Sequence, residues 1–173
     1  VGEALAVLAR LRRQGLSNLV MITGDSERCA AHVADELGLD GYFAQVLPED
    51  KAAHVAALRE AGHTVVMVGD GINDSPALAT ADVSVAMSDA SDIARAVADV
   101  LVHDSSLESL VTMRELASRL MGRIHADYRF IVGFNSLLIG LGVASAIPIT
   151  TAAYLHNVST LCIAARNATP LLD

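Results

Sequence analysis

The feature that most restricts the fold of this chain is a long tract without charged side chains. Residues 130–165 are 36 residues with no Asp, Glu, Lys or Arg. That is about twice the length a helix needs to cross the roughly 30 Å hydrocarbon core of a bilayer. Ile147-Pro148 near the middle of the tract is a natural place for a turn. The tract therefore predicts a transmembrane hairpin of two helices over 130–147 and 149–166.

The alternative is a pair of long helices buried inside a soluble protein. Such helices usually carry a polar stripe, whereas residues 130–147 offer only Asn135, Ser136 and Ser145 as polar side chains. Arginines precede the first span and follow the second, and none lies in the turn. Because cytoplasmic flanks carry the excess of positive charge, we expect a multi-pass membrane protein whose soluble part and C-terminus are cytoplasmic.

Residues 1–104 alternate helix-like segments with short apolar runs. The runs predicted as strands lie at 19–22, 43–46, 64–68, 83–86 and 99–102. Short apolar strands separated by helices favour βαβ units and a mostly parallel sheet. We therefore expect an α/β fold over 1–104, a connecting helix over 105–129, and two membrane helices with a short tail over 130–173.

The ten residues after the third apolar run read Gly-Asp-Gly-Ile-Asn-Asp-Ser-Pro-Ala-Leu. They place Asp70, Asn73 and Asp74 just past a strand, at the edge where α/β sheets bind ligands. Oxygen ligands suit Mg²⁺, which takes one or two carboxylates plus phosphate oxygens. The plainer interpretation is a tight turn and a helix capped by Asp74, with Pro76 in its first turn. The full string is more specific than a turn requires, and it predicts phosphate chemistry.

Two further segments fit a phosphate site. Thr23-Gly24-Asp25 follows the first strand, where a hydroxyl and backbone N–H groups can hold phosphoryl oxygens. Asp25 suits a helix cap equally well. Lys51 lies in the first turn of a helix, where the macrodipole favours anions. A nearby phosphate explains that lysine, and a solvated surface lysine is the alternative.

The three motifs together resemble a known superfamily. Thr-Gly-Asp at 23–25, Pro-Glu-Asp-Lys at 48–51 and the run at 69–78 are similar, in order and spacing, to the haloacid dehalogenase superfamily. The chain resembles the P-type ATPases, which are cation pumps, more closely still. Its two closing helices resemble the heavy-metal-transporting branch. The resemblance implies a Rossmann-like phosphorylation domain of haloacid dehalogenase type, whose C-terminal part is 1–104, with Mg²⁺ and ATP as cofactors.

The same resemblance implies roles for individual residues. Asp70 is expected to bind Mg²⁺, and Asp74 is a second candidate ligand. Asn73 and Asp74 are expected to position the phosphoryl group. Lys51 is expected to neutralise the acyl phosphate and Thr23 to bind its oxygens, as phosphoryl transfer generally requires.

Gly24 and Asp25 belong to the same family motif, and Asp25 is expected near the nucleotide side of the site. One departure is large: the family's nucleophile motif, Asp-Lys-Thr-Gly-Thr, does not occur in this sequence. Without that aspartate the covalent step has no nucleophile. We therefore interpret the sequence as the C-terminal part of a pump with an aspartyl-phosphate intermediate, inactive when taken alone.

Polar side chains inside the uncharged tract are candidates for the transported ion. Asn135 lies in the first span, where the family typically has Tyr-Asn and this chain has Phe134 before the asparagine. His156 and Ser159 share a face of the second span. Histidine with oxygen ligands suits Zn²⁺, Co²⁺, Ni²⁺ or Mn²⁺, and copper is the alternative. A simple interhelical hydrogen bond of His156 also stays open.

The expected partners are a transition-metal cation, the lipid bilayer and the remainder of the pump. A net charge of −8 gives no electrostatic basis for nucleic-acid binding. Two other classes of function stay open. One is a soluble phosphatase of the haloacid dehalogenase type, and the other is a non-catalytic truncated remnant.

Overall fold

The computed structural model describes residues 2–70, 72–87, 91–103 and 106–171. Gly71 of the ten-residue run and the predicted domain boundary at 104–105 lie outside these ranges. The chain divides into two compact units, Val1–Thr112 (unit 1) and Met113–Asp173 (unit 2). Each unit is described by itself.

Unit 1 alternates short strands with helices, as predicted. The strands in the described ranges are β1 Val20–Ile22, β2 Gly41–Phe43, β3 Val66–Gly69, β4 Val83–Ala86 and β5 Val100–Leu101. The helices are α1 Gly2–Arg13, α2 Glu27–Leu37, α3 Lys51–Glu60, α4 Ser75–Thr80 and α5 Asp92–Val97. A short 3₁₀ helix, Ile72–Asp74, leads into α4.

Every strand pair in unit 1 is parallel. β1 pairs with β2, in a register that places Val20 opposite Gly41. A second sheet has the order β3-β4-β5, with Val66 opposite Val83 and Val85 opposite Val100. The predicted parallel α/β architecture is therefore confirmed.

The core of unit 1 lies where α4 and the central strand β4 meet. Leu78 of α4 and Ala86 of β4 are almost fully buried, and Met67 and Ala98 pack against them. β4 is the most deeply buried strand because it has a neighbour on each side. This packing holds the carboxyl end of β3 and the start of α4 next to each other.

The second strand begins earlier than predicted. The pattern predicts a strand over 43–46, and β2 is Gly41–Phe43. The chain leaves the extended conformation at Gln45, whose φ is 55°. Val46 is nevertheless buried, and its N–H donates to the Thr23 carbonyl. The prediction is wrong here because an apolar side chain packs from a loop instead of a strand.

The predicted connecting helix and first span form one continuous helix, α6 Glu108–Val143. It begins in unit 1 and continues into unit 2. Its end falls before the predicted residue 147, because Ser145 adopts a left-handed φ of 57° and the Ala146 N–H donates to the Leu141 carbonyl. These bonds form a Schellman-type helix end.

The second helix of unit 2, α7 Ile149–Asn167, begins directly after Pro148, at the predicted turn. Within the described ranges, the structure contains no helix with both the length and the apolar character that a membrane crossing requires. The predicted hairpin is therefore present as two helices, and its crossing of a membrane is not confirmed.

Candidate phosphate and metal sites

The first candidate site is built on an ion pair between two helix starts. Lys51 opens α3, and its Nζ donates to Oδ1 of Asp74, just before α4, at 2.6 Å. The two side chains are only 16% and 13% exposed. Asp74 occupies the cap position of α4 but makes no capping hydrogen bond. The capping interpretation of Asp74 is therefore wrong, because its carboxylate is directed to the lysine.

Gly69 allows Asp74 to approach the end of β3. A Cβ atom at Gly69 would lie 2.9 Å from the Asp74 Cβ and 3.2 Å from its Oδ2. Contacts that short would force the backbone or the carboxylate to move. A glycine at this position therefore lets the Lys51–Asp74 pair lie directly against the carboxyl end of the strand.

Asp70 and Asn73 complete this end of the sheet. Both are exposed, and the Asp70 backbone carbonyl accepts the Ser91 N–H at 2.9 Å. Within the described ranges, no hydrogen bond or ion pair engages either side chain. Their oxygen atoms are therefore available to a ligand, next to a lysine that is already held in place.

These residues fit Mg²⁺ better than a metal ion that needs three or more protein side chains as ligands. Among the residues that the structure describes, no group of three His, Cys, Asp or Glu side chains could hold a metal ion. Mg²⁺ needs no such group, since it binds through one or two carboxylates and keeps water and phosphate oxygens as its other ligands. Asp70 and Asp74 could supply that donor set.

Thr23 and Asp25 form a separate group after β1. The Thr23 hydroxyl donates to Oδ2 of Asp25 at 2.9 Å, and the Asp25 N–H donates to the Thr23 Oγ1 at 3.1 Å. The cap of α2 is Ser26, so the capping interpretation of Asp25 is wrong. Gly24 has room for a Cβ, 3.6 Å from the Val46 carbonyl oxygen.

In the described part of the chain, no hydrogen bond or ion pair joins the Thr23 group to the Lys51–Asp74 pair. The structure thus brings Lys51 and Asp74 together, and separately Thr23 and Asp25. That all four serve one phosphate site stays a prediction.

The second candidate site lies in unit 2. Nδ1 of His156 and Oδ1 of Asn135 are 2.8 Å apart, so α6 and α7 meet through these two side chains. The hydroxyls of Ser159 and Thr160 both donate back to the His156 carbonyl, at 2.7 and 3.1 Å. Two of the predicted ion ligands, Asn135 and His156, are therefore close in space, and they form the interhelical hydrogen bond that was the alternative for His156. The Ser159 proton is used by the backbone.

Sequence reasoning missed Asp127, which is buried in unit 2. Its carboxylate accepts hydrogen bonds from Arg166 and Asn167. A signal was available: Asp127 is the one acidic residue between Glu115 and the uncharged tract, and Arg166 is the first charged residue after that tract. Two opposite charges that flank a helical hairpin are natural partners.

The fold of unit 1 agrees with known families. Residues 1–82 match a family of haloacid dehalogenase-like hydrolases, and residues 53–112 match a second family of the same description. Unit 1 is thus a haloacid dehalogenase-like domain, and the Rossmann-like parallel fold predicted from the three motifs is confirmed.

Sequence and structural similarity to longer proteins extends over both units. The chain is 41% identical over 167 residues to the manganese-exporting P-type ATPase of Mycobacterium tuberculosis and, equally, to the zinc-exporting P-type ATPase of Mycobacterium marinum. It is also similar to a crystal structure of a zinc-transporting PIB-type ATPase in the E2.Pi state, with 32% sequence identity and a TM-score of 0.90. That match covers all of this chain and 28% of the ATPase chain in the crystal structure. The chain belongs to the P-type ATPases, in their heavy-metal-transporting branch. The match to each of the two mycobacterial relatives covers 96% of this chain but only 23% of the relative's length.

Proposed function

We propose that this chain is the C-terminal part of an ATP-driven transition-metal pump that forms an aspartyl-phosphate intermediate. Residues 1–104 supply part of the phosphorylation domain, and the helices of unit 2 supply part of the ion path. The observation that carries the proposal is the Lys51–Asp74 pair held against the end of β3, beside the unengaged carboxylate of Asp70.

In this proposal the residues around β3 handle the phosphoryl group. Asp70, with Asp74 as a second ligand, would hold Mg²⁺, and the ion would supply positive charge beside the transferring group. Lys51 adds a cation whose position is set in advance by Asp74, so little reorganisation is needed when charge develops. Asn73 would donate a side-chain N–H to a phosphoryl oxygen.

Thr23 supplies a further phosphate contact after β1, with Gly24 and Asp25 nearest the nucleotide. The Thr23 hydroxyl already donates to Asp25, and its oxygen also accepts the Asp25 N–H. Binding of a phosphoryl oxygen therefore requires the hydroxyl proton to turn from Asp25 to the ligand. ATP is the expected phosphoryl donor.

The outer strands β1 and β3, two of the four with an unpaired edge among the described residues, support a larger domain. β1 and β3 each have one strand neighbour among the described residues, although both are almost entirely apolar. Val20 and Val66 are consequently 39% and 42% exposed. Parallel strands are normally covered on both faces and paired on both sides, and bare apolar edges promote association. We infer that the remainder of the pump covers these edges, in keeping with the nucleophile motif that this sequence lacks.

The surface of unit 2 supports a lipid environment for the hairpin. Large apolar side chains of both helices face outward, among them Ile139, Val143 and Ile149. An apolar surface of this kind marks a membrane or protein contact. The arginines that flank the hairpin, with none at its turn, favour an orientation with both ends and unit 1 in the cytoplasm.

The transported ion is proposed to bind near Asn135 and His156, with Ser159 as a further oxygen donor. An imidazole and an amide oxygen 2.8 Å apart form a nitrogen–oxygen donor set, which suits Zn²⁺, Co²⁺, Ni²⁺ or Mn²⁺. The manganese- and zinc-exporting relatives agree with that choice. Copper is the alternative, and it would favour sulfur donors.

The phosphoryl role is tested by Asp70→Asn in the complete pump. Loss of a metal-binding carboxylate is expected to lower Mg²⁺-dependent phosphoenzyme formation from ATP by about 100-fold, the scale seen when one electrostatic contact to a transition state is removed. Asp35→Asn is the matched control, because Asp35 is an exposed carboxylate on α2 in the same unit. Equal phosphoenzyme levels in the two variants would remove Asp70 from the site.

A further inference from the structure

A buried carboxylate joins the middle of α6 to the C-terminal end of α7. Asp127 of α6 is only 7% exposed. Its Oδ1 accepts a hydrogen bond from Nη1 of Arg166 at 3.0 Å, and its Oδ2 accepts one from Nδ2 of Asn167 at 2.8 Å. A buried charge is tolerated only when its partners satisfy it. Both oxygens of Asp127 are satisfied by consecutive residues at the end of α7.

The same face of α6 holds the chain that follows α7. Arg123, one turn before Asp127, donates to the carbonyls of Arg166, Thr169 and Pro170. The last carbonyls of a helix have no partner within the helix, and a cation next to them is favourable. The end of α7 is therefore fixed to α6 both through its side chains and through its backbone.

The Asn135–His156 contact is a second polar connection between the same helices. On α6 it lies 135 − 127 = 8 residues from Asp127, and on α7 it lies 166 − 156 = 10 residues from Arg166. At 1.5 Å per residue these separations are about 12 Å and 15 Å along the helices. The two helices run antiparallel, because residue numbers rise on one as they fall on the other.

Helix geometry makes the two connections depend on each other. A shift of one residue in the pairing at Asp127 turns α7 by about 100° relative to α6. Such a rotation would take His156 away from Asn135. A rigid helix of this length therefore transmits the register chosen at Asp127 to the polar pair.

We propose that Asp127, Arg166 and Asn167 form a clasp that sets the register of α7 against α6 and thereby positions Asn135 and His156 for ion selection. The inference rests on the proposed function, since it takes these two residues as ligands of the transported ion. Asp127 lies about two helical turns from Asn135. It is therefore a positioning residue and not an ion ligand.

The test compares metal-stimulated ATPase activity of the complete pump with Mn²⁺, Zn²⁺ and Co²⁺. Asp127→Ala is expected to raise the metal concentration for half-maximal stimulation about tenfold and to change the ratio between the ions. Phosphoenzyme formation is expected to persist at saturating metal. Glu115→Gln is the matched control, because Glu115 is a half-exposed carboxylate on α6 whose ion pair with Arg119 lies outside the clasp.

A double-mutant cycle separates positioning from a general structural role. If the clasp acts through the polar pair, Asp127→Ala has little further effect on ion preference once Asn135→Ala is present. Additive effects of the two substitutions, or an equal loss of stimulation by every ion at unchanged half-maximal concentrations, would overturn the proposal. Arg166→Gln gives a second entry to the cycle if Asp127→Ala fails to fold.

The two proposals fail in different ways. A wild-type pump without any phosphoenzyme from ATP refutes the proposed function, and with it the clasp's role. A wild-type pump that is phosphorylated and metal-stimulated, with Asp127→Ala matching Glu115→Gln in every ion ratio, refutes the clasp alone.

Discussion

Unit 1 and unit 2 use apolar side chains in opposite ways. In unit 1 the most deeply buried residues are apolar, including Leu78 and Val85. In unit 2 the buried residues among those described are Leu138 and Asp127, while side chains such as Ile139 face outward. Unit 1 is thus organised by a hydrophobic core of the kind that water stabilises. The helices of unit 2 are connected by polar contacts and leave large apolar side chains exposed on their outer surface.

The two units also place their buried carboxylates differently. Asp74 in unit 1 pairs with a lysine next to side chains that are free to bind a ligand. Asp127 in unit 2 has both oxygens occupied by the end of α7. Under the two proposals, the buried charge serves chemistry in unit 1 and helix register in unit 2.

The largest expected effect is that of Lys51→Ala. It leaves the Asp74 carboxylate, 13% exposed, without its cation, and breaking a buried pair in this way costs about 3–5 kcal/mol. We expect this loss in the free energy of unfolding by urea, together with a fall in phosphoenzyme turnover of about 100-fold. Arg59→Ala, which breaks a more exposed ion pair with Asp82, is the control. Equal losses in the two variants would contradict a special role for the Lys51–Asp74 pair.

A matched pair of leucines tests the difference between the units directly. Leu78→Ala in the core of unit 1 is expected to lower the free energy of unfolding by about 2–5 kcal/mol through lost burial and a cavity. Leu137→Ala changes a side chain of unit 2 that is 56% exposed, and in detergent micelles it is expected to cost less than about 0.5 kcal/mol. Urea unfolding of both variants measures the contrast. Similar losses would show that unit 2 buries Leu137 as unit 1 buries Leu78.

The smallest expected effect is a loss of stability of unit 1 in acid. The backbone N–H of Ser84, followed by its hydroxyl, holds the pKa of the Asp99 carboxyl below its ordinary value of 3.8. Because the folded pKa is lower than the unfolded one, this stabilisation is present above pH 3.8 and is lost as the pH falls through the folded pKa. Hydrogen exchange at β4 amides should therefore accelerate in this range.

Asp99→Asn is the control for that titration. It should weaken β4 protection at neutral pH and reduce the additional acceleration in acid. An unchanged acid profile in this variant would assign the effect to other groups, among them Asp82. The pKa of Asp82 is lowered by the backbone N–H of Val65 and by Arg59.

Local patterns were sufficient for the fold of unit 1 and for part of its site. The alternation of apolar runs predicted a strand over 83–86, and β4 is Val83–Ala86. The same rules predicted the turn before α7. They failed at β2, because Val46 satisfies its apolar character by packing from a loop.

The sequence by itself determined which residues gather at the strand ends and that the strands are parallel, since both follow from local periodicity and short connections. Tertiary structure alone decided that Lys51 pairs with Asp74, 23 residues away, and that Asp127 binds Arg166, 39 residues away. The physical reason is that a local pattern sets the conformation of neighbouring residues. The partner of a buried charge depends instead on how distant elements pack around it.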